Sequence, residues 1–273
     1  MADDAETIRK LREELRQAKE EAELLREWAD MKEEAQEEEH YANEKYDYRG
    51  GRDSWADVTI YGSDFSRAQR SHWAMRELGL DTAIWREQVP IDVRTGAIFA
   101  DEPEKAQFYR ERLHPDSRMP VLATDGEQFT LFESLAINYF LAKEAGGPLA
   151  PQDVEEEARV MQWSIWTIAN CEDACVNLSF AGMMRNKEKA EARKKPLFES
   201  HERPFTALDL HLSQNAYLLG DERWSIADLN VVSIIDWGIK AGMDMGPFPH
   251  LSKWYEESVA RPAFSAETQT PKL

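Results

Sequence analysis

Cysteine is scarce in this chain. Two thiols among 273 residues are too few to staple a fold, and they point to a reducing compartment, with the cytoplasm as the default. Cations are outnumbered as well, 33 Lys and Arg against 52 Asp and Glu, for a net charge of −19. Phosphate binding needs clustered Lys and Arg, so nucleic acid is a poor partner, and docking on an anionic membrane is disfavoured for the same reason. No stretch approaches the roughly eighteen apolar residues of a membrane span. The opening Met-Ala-Asp-Asp-Ala-Glu fits neither a signal peptide nor a transit peptide. Glycine and proline are missing altogether from residues 1 to 48.

What is present is ample core material: 42% apolar residues and nine tryptophans, in a length that suits two modest domains. Residues 1–50 read as a charged heptad helix and hinge. Their apolar positions Ile8, Leu11, Leu15, Ala18, Ala22, Leu25 and Ala29 step by three and four, a seam that suits a dimerising coiled coil or a single solvated helix equally. A second stripe, Leu24, Trp28 and Met31, could dock on the body instead.

From residue 56 to 147 the pattern is α/β. Asp57 to Tyr61 and Thr82 to Val89 are rich in β-formers, with a helix between them that stops at Gly79. A helix around Pro103 to Leu113 follows. Met119-Pro120 then enters a hairpin, Val121 to Ala123 and Phe129 to Phe132, turned by Asp125-Gly126. Ser134 opens a last helix. The order β-α-β-α-β-β-α is that of a thioredoxin-like domain. Past Gly146 to Pro151, residues 152–266 read as all helix. One long helix is expected from Val154 to about Met184, an interruption at Pro196, and a further helix from Pro204 to Asn215. Ser225 with Asp228 suits a capping box ahead of the apolar run Leu229 to Trp237.

Ser134 has chemical interest beyond its helix. The first backbone N–H groups of a helix lack internal partners and carry partial positive charge, so a bound carboxylate is stabilised there. Capping alone would equally account for a serine at that position.

The string His-Pro-Asp-Ser-Arg-Met-Pro-Val-Leu from residue 114, followed by Phe-Thr-Leu-Phe-Glu-Ser-Leu-Ala-Ile-Asn from residue 129, resembles the glutathione-binding half of the cytosolic glutathione transferases. The string around Trp224 to Asp228 and the closing Arg261-Pro262-Ala263-Phe264 resemble that family's helical domain, so the likeness runs from about residue 57 to 264. It implies glutathione as cosubstrate and a cis bond at Met119-Pro120. The Met119 backbone would pair with the tripeptide, and Glu133 and Ser134 would hold its γ-glutamyl end. Ser63-Asp64-Phe65-Ser66-Arg67 is similar to the Ser-Pro-Phe-Ser-Arg of bacterial members. That likeness makes Ser63 the hydroxyl that stabilises the thiolate, with Ser66 as second candidate; plain helix capping is the alternative for both.

Asp64 stands where Pro is usual and would oppose ionisation unless it faces solvent or pairs with Arg67 or Arg70. Arg67, His114 and Arg118 suit the glycyl carboxylate as guanidinium and imidazolium donors. The family's second-substrate pocket, lined from the first helix of the helical domain, implies Trp163, Trp166, Asn170 and Cys171, although interdomain packing would use the same side chains. The loop holds no Cys, which disfavours thiol-exchange chemistry on the protein's own sulfur. Cys171 and Cys175 lack the further ligands a zinc site needs, so no metal is expected. The reading is a homodimeric transferase that conjugates glutathione to an apolar small-molecule electrophile. The alternatives are a glutathione-dependent lyase or dehalogenase, and a non-catalytic scaffold that works through its amino-terminal helix.

Overall fold

The computed structural model describes residues 54–63, 66–92, 95–124, 127–220 and 223–265. The heptad helix expected in residues 1–50 and the Asp64 side chain lie outside the described residues.

Strands β1 (Thr59–Gly62), β2 (Trp85–Gln88), β3 (Val121–Thr124) and β4 (Phe129–Phe132) form one sheet in the order β2-β1-β3-β4. β2 runs parallel to β1, whereas β3 is antiparallel to both β1 and β4. Side chains alternate across a strand, and here each face has its own core. Ile60 and Leu122 point to the larger cluster, with Trp73, Met75, Ile137 and Leu141. Val121 and Ala123 point to a smaller one with Val89, Ile98, Phe99, Tyr109 and Leu113.

Helix α1 (Ala68–Glu77) follows β1, and Gly79 beyond its end takes a positive φ of 69°, the left-handed conformation glycine supplies without strain. Helix α2 (Pro103–Phe108) runs into a π turn, Tyr109–Leu113, and helix α3 (Ser134–Ala145) follows β4. This is the expected thioredoxin-like order.

The helical part begins with α4 (Val154–Thr167), a π turn (Ile168–Glu172) and α5 (Asp173–Gly182). The single long helix expected there is therefore widened by one π turn, which is common at functional sites. The break expected at Pro196 is absent. Helix α6 runs unbroken from Lys187 to Leu212 with Pro196 and Pro204 inside it. An interior proline costs a helix about 3 kcal/mol; burial of Ala190, His201, Phe205, Leu208 and Leu212 on the same helix offsets it.

Helix α7 (Ile226–Lys240) is the axis of this part and is buried on nearly every side. Its expected capping box is formed: the Asp228 carboxylate accepts from the Ser225 backbone N–H and hydroxyl, both at 2.9 Å. It also accepts from the Leu218 N–H at 3.0 Å and the Trp254 indole N–H at 2.9 Å. Helices α8 (Pro249–Val259) and α9 (Pro262–Ser265) return the chain to α1. There Arg261 forks onto Glu77 at 2.8 and 2.7 Å and Phe264 meets Trp73 edge-on.

Candidate active site

Three backbone features meet around the first turn of α1. Gly62 ends β1 where a Cβ would lie 2.4 Å from the Ala68 Cβ and 3.9 Å from that of Pro120. Only glycine lets the helix start and the Pro120 loop close on the strand this tightly. Ser63 follows and is half-buried. The turn after it consumes the other serine. The Ser66 hydroxyl donates to the Ser63 carbonyl at 2.7 Å, and its oxygen accepts from the N–H groups of Ser63 at 3.3 Å and Ala68 at 3.1 Å. Ser66 is thus committed to capping α1.

The second feature is the hairpin entry. The Met119–Pro120 bond is cis, Arg118 is exposed and Met119 half-buried. Upstream, the buried His114 ring accepts the Asp116 N–H on Nδ1 at 3.1 Å and lies 4.3 Å from the Phe132 ring. Burial holds His114 below the ordinary imidazole range. At neutral pH it is an uncharged ring with its proton on Nε2, not the imidazolium expected from the sequence.

The third feature is the start of α3. Glu133 sits at φ 71°, a left-handed conformation that costs a non-glycine residue roughly 1 kcal/mol or more. It turns the strand abruptly into the helix, with its own side chain exposed. Ser134, the first helical residue, is 3% exposed and its hydroxyl lies 3.5 Å from Arg70 Nη1.

Sequence reasoning missed what holds these parts to the helical domain. Arg70, 2% exposed, pairs at 2.8 Å with Glu172 in the π turn of the helical part. The contact is ionic, since its angle falls short of a hydrogen bond. The Arg67 guanidinium also bonds Glu172. Both arginines proposed to neutralise Asp64 therefore engage Glu172. Desolvation pulls Arg70 below the usual guanidinium range and Glu172 pulls it back, so the arginine stays charged; Trp237 lies under it at 5.3 Å. The signal that could have exposed Glu172 is the acidic pair Glu172-Asp173 set between Cys171 and Cys175 in a mostly uncharged stretch from Trp163 to Leu178.

The four residues expected to line a second-substrate pocket separate. Trp163 is buried, its indole N–H donating to the Leu218 carbonyl at 3.0 Å, with Trp166 and His211 edge-on. Cys171 is enclosed, and burial pushes its thiol to about 12. Trp166 and Asn170 are half-buried, and Asn170 is fixed between the Trp166 carbonyl at 2.7 Å and Arg203 at 2.8 Å. Steps of four and eight from Glu172 instead carry Val176 and Phe180 along its side of α5, and a step of eleven reaches Met183 just past the helix end; the last two are largely exposed. Among the described residues, no cluster of His, Cys, Asp or Glu is set to hold a metal ion. Nor is any of their helices long and apolar enough to cross a membrane.

Residues 56–143 match the family model for the glutathione S-transferase N-terminal domain, and residues 172–262 match that for the C-terminal domain. The chain is 32% identical over 165 residues to elongation factor 1-gamma of Carassius auratus, covering 58% of this chain and 35% of that one. It therefore spans about a third of that relative's length. It is 26% identical over 192 residues to the disulfide-bond oxidoreductase YfcG of Escherichia coli, covering 68% of this chain and 87% of that one. A theta class glutathione S-transferase of Xanthomonas axonopodis pv. citri, solved with glutathione bound, superposes with a TM-score of 0.63 at 26% identity, covering 79% of this chain and 98% of that one. With both domain models matched in order and the expected hairpin, cis bond and capping box in place, the chain belongs to the cytosolic glutathione transferase superfamily.

Proposed function

We propose that this protein conjugates glutathione to an apolar electrophile, with Ser63 as the hydroxyl that stabilises the thiolate. The observation that carries the reading is convergence on one turn of helix. Gly62 brings Pro120 and Ala68 together, Ser66 is spent on the turn, and Arg70 reaches from that helix to Ser134. Ser63 is then placed beside a helix start, where a hydrogen bond and the dipole both lower a thiol pKa. The γ-glutamyl carboxylate would take the opening N–H groups of α3, with the buried Arg70 charge behind Ser134. Arg67, His114, Arg118, Met119, Pro120 and Glu133 complete the glutathione site. The electrophile would lie on the side of α5 that carries Val176 and Phe180 and ends at Met183, with Trp166 and Asn170 at its edge.

The protein acts as a homodimer in this reading. Exposed Met161 and Ile165 on α4 and Ile168 at the start of the π turn make an apolar row, of the kind that marks a protein contact. Two free, buried cysteines suit the cytoplasm. The oxidoreductase relative favours thiol–disulfide exchange as a second reading. Since Cys171 and Cys175 are enclosed, such exchange would run on the sulfur of glutathione. A panel of aryl halides, haloalkanes and disulfides separates the activities.

Calorimetric titration of glutathione into the full chain and its Ser134→Ala variant tests the half-site. Binding weakened about tenfold in the variant is expected. No binding to the wild type at millimolar glutathione would overturn the reading in favour of a scaffold.

A further inference from the structure

We propose that Tyr109 is a positioning residue for glutathione, because its hydroxyl fixes the peptide plane that presents the Met119 backbone. The proposal rests on the glutathione reading above and adds a residue to it. Tyr109 opens the π turn after α2 and is 1% exposed. Its O–H donates to the Arg118 carbonyl at 2.9 Å. Burial pushes the phenol far above its ordinary value, so the group remains a donor at every pH the protein meets.

The carbonyl it holds belongs to the same planar unit as the Met119 N–H. In a trans peptide, C=O and N–H point in opposite directions. Tyr109 therefore draws the Arg118 carbonyl toward the smaller core and turns the Met119 N–H away from it. The donor cannot wander, since the Tyr109 ring is wedged between Tyr61, edge-on at 6.1 Å, and Phe99 at 6.0 Å. Met119 packs on the same cluster. Tyr61 lies on β1, two residues before Ser63, so one ring registers the Met119 loop against the strand that delivers the thiolate donor. None of these residues lies on the side of α5 proposed for the electrophile, so the effect falls on glutathione alone.

Tyr109→Phe removes one oxygen and keeps the ring. In the full-length protein its glutathione dissociation constant, read by calorimetry, is expected to rise about fivefold, the worth of one hydrogen bond. Turnover of 1-chloro-2,4-dinitrobenzene at saturating glutathione stays within about twofold. Amide exchange across residues 115–119 of the free protein quickens. Phe99→Leu loosens the wedge but keeps the hydroxyl; it lowers the melting temperature and raises the glutathione dissociation constant less than Tyr109→Phe does. A folded Tyr109→Phe that binds glutathione as the wild type does, with unaltered exchange, would overturn the proposal alone. A wild type that binds no glutathione would overturn the reading beneath it and the proposal together.

Discussion

Arg70, on the helix that follows β1, and Glu172, in the π turn of the helical domain, form a 2.8 Å ion pair that is almost wholly buried. The pair ties the strand end that carries Ser63 to the domain proposed to hold the electrophile. Removing one partner strands a charge without solvent, which costs about 3–5 kcal/mol. Glu172→Ala should lose that much in urea unfolding. Arg67→Ala, at a side chain 40% exposed, should lose under about 1 kcal/mol. Equal losses in the two variants would contradict the assignment.

Gly62 makes a different kind of demand. Its Cβ would meet the Ala68 Cβ at 2.4 Å, and neither group can swing aside as a long side chain could. Gly62→Ala should destabilise by about 1–3 kcal/mol and displace Ser63. Adding Ala68→Gly to the same chain should restore both stability and activity, since it removes the atom in the way. Failure of that rescue would point to a cause other than the clash.

The parts of this protein that local chemistry dictates were legible in the sequence. Met119-Pro120, the hairpin, the helix start at Ser134 and the Ser225–Asp228 box are all set within a few residues of chain. What was not legible depends on distant partners. Pro196 and Pro204 argued for a break, but the apolar side of α6 is buried and packing overrode the local cost. Trp163 and Cys171 sit on the expected helix, yet one face turns to α7 and the core. Periodicity states that a helix has faces and leaves open which neighbour each face meets. Glu172 was missed because its partners lie in the other domain. The hydrogen bonds that hold Ser66 in the turn to Ser63 and Ala68 are likewise not written in the letters.

The apolar row of Met161, Ile165 and Ile168 predicts the oligomeric state. Ile165 is 62% exposed, so Ile165→Lys should leave the folded chain unharmed while weakening self-association. Sedimentation at micromolar concentration should show the wild type as a dimer and the variant shifted toward monomer. A dimer of undiminished strength would move the contact elsewhere.

Acid should weaken the fold partly through His201. This buried ring approaches Leu197 O at 2.7 Å through Nδ1 and Cys175 Sγ at 3.2 Å through Nε2, and desolvation holds it below the ordinary imidazole value. The unfolded chain takes up a proton near pH 6.5 and the folded chain only at lower pH. The stability this group contributes is therefore complete above about pH 6.5 and is lost as pH falls toward the folded value. His201→Gln should flatten the slope of unfolding free energy across that window. An unchanged slope would show that folding does not shift the His201 pKa.

The central claim is that Ser63 stabilises a glutathione thiolate. The direct test is an ultraviolet titration of the thiolate of bound glutathione, in the wild type and in Ser63→Ala. In the wild type the bound thiol should ionise at least about one unit below the ordinary value near 8.5. In Ser63→Ala it should return toward that value while glutathione still binds. A bound thiol that titrates at the same pH in both proteins would contradict the account.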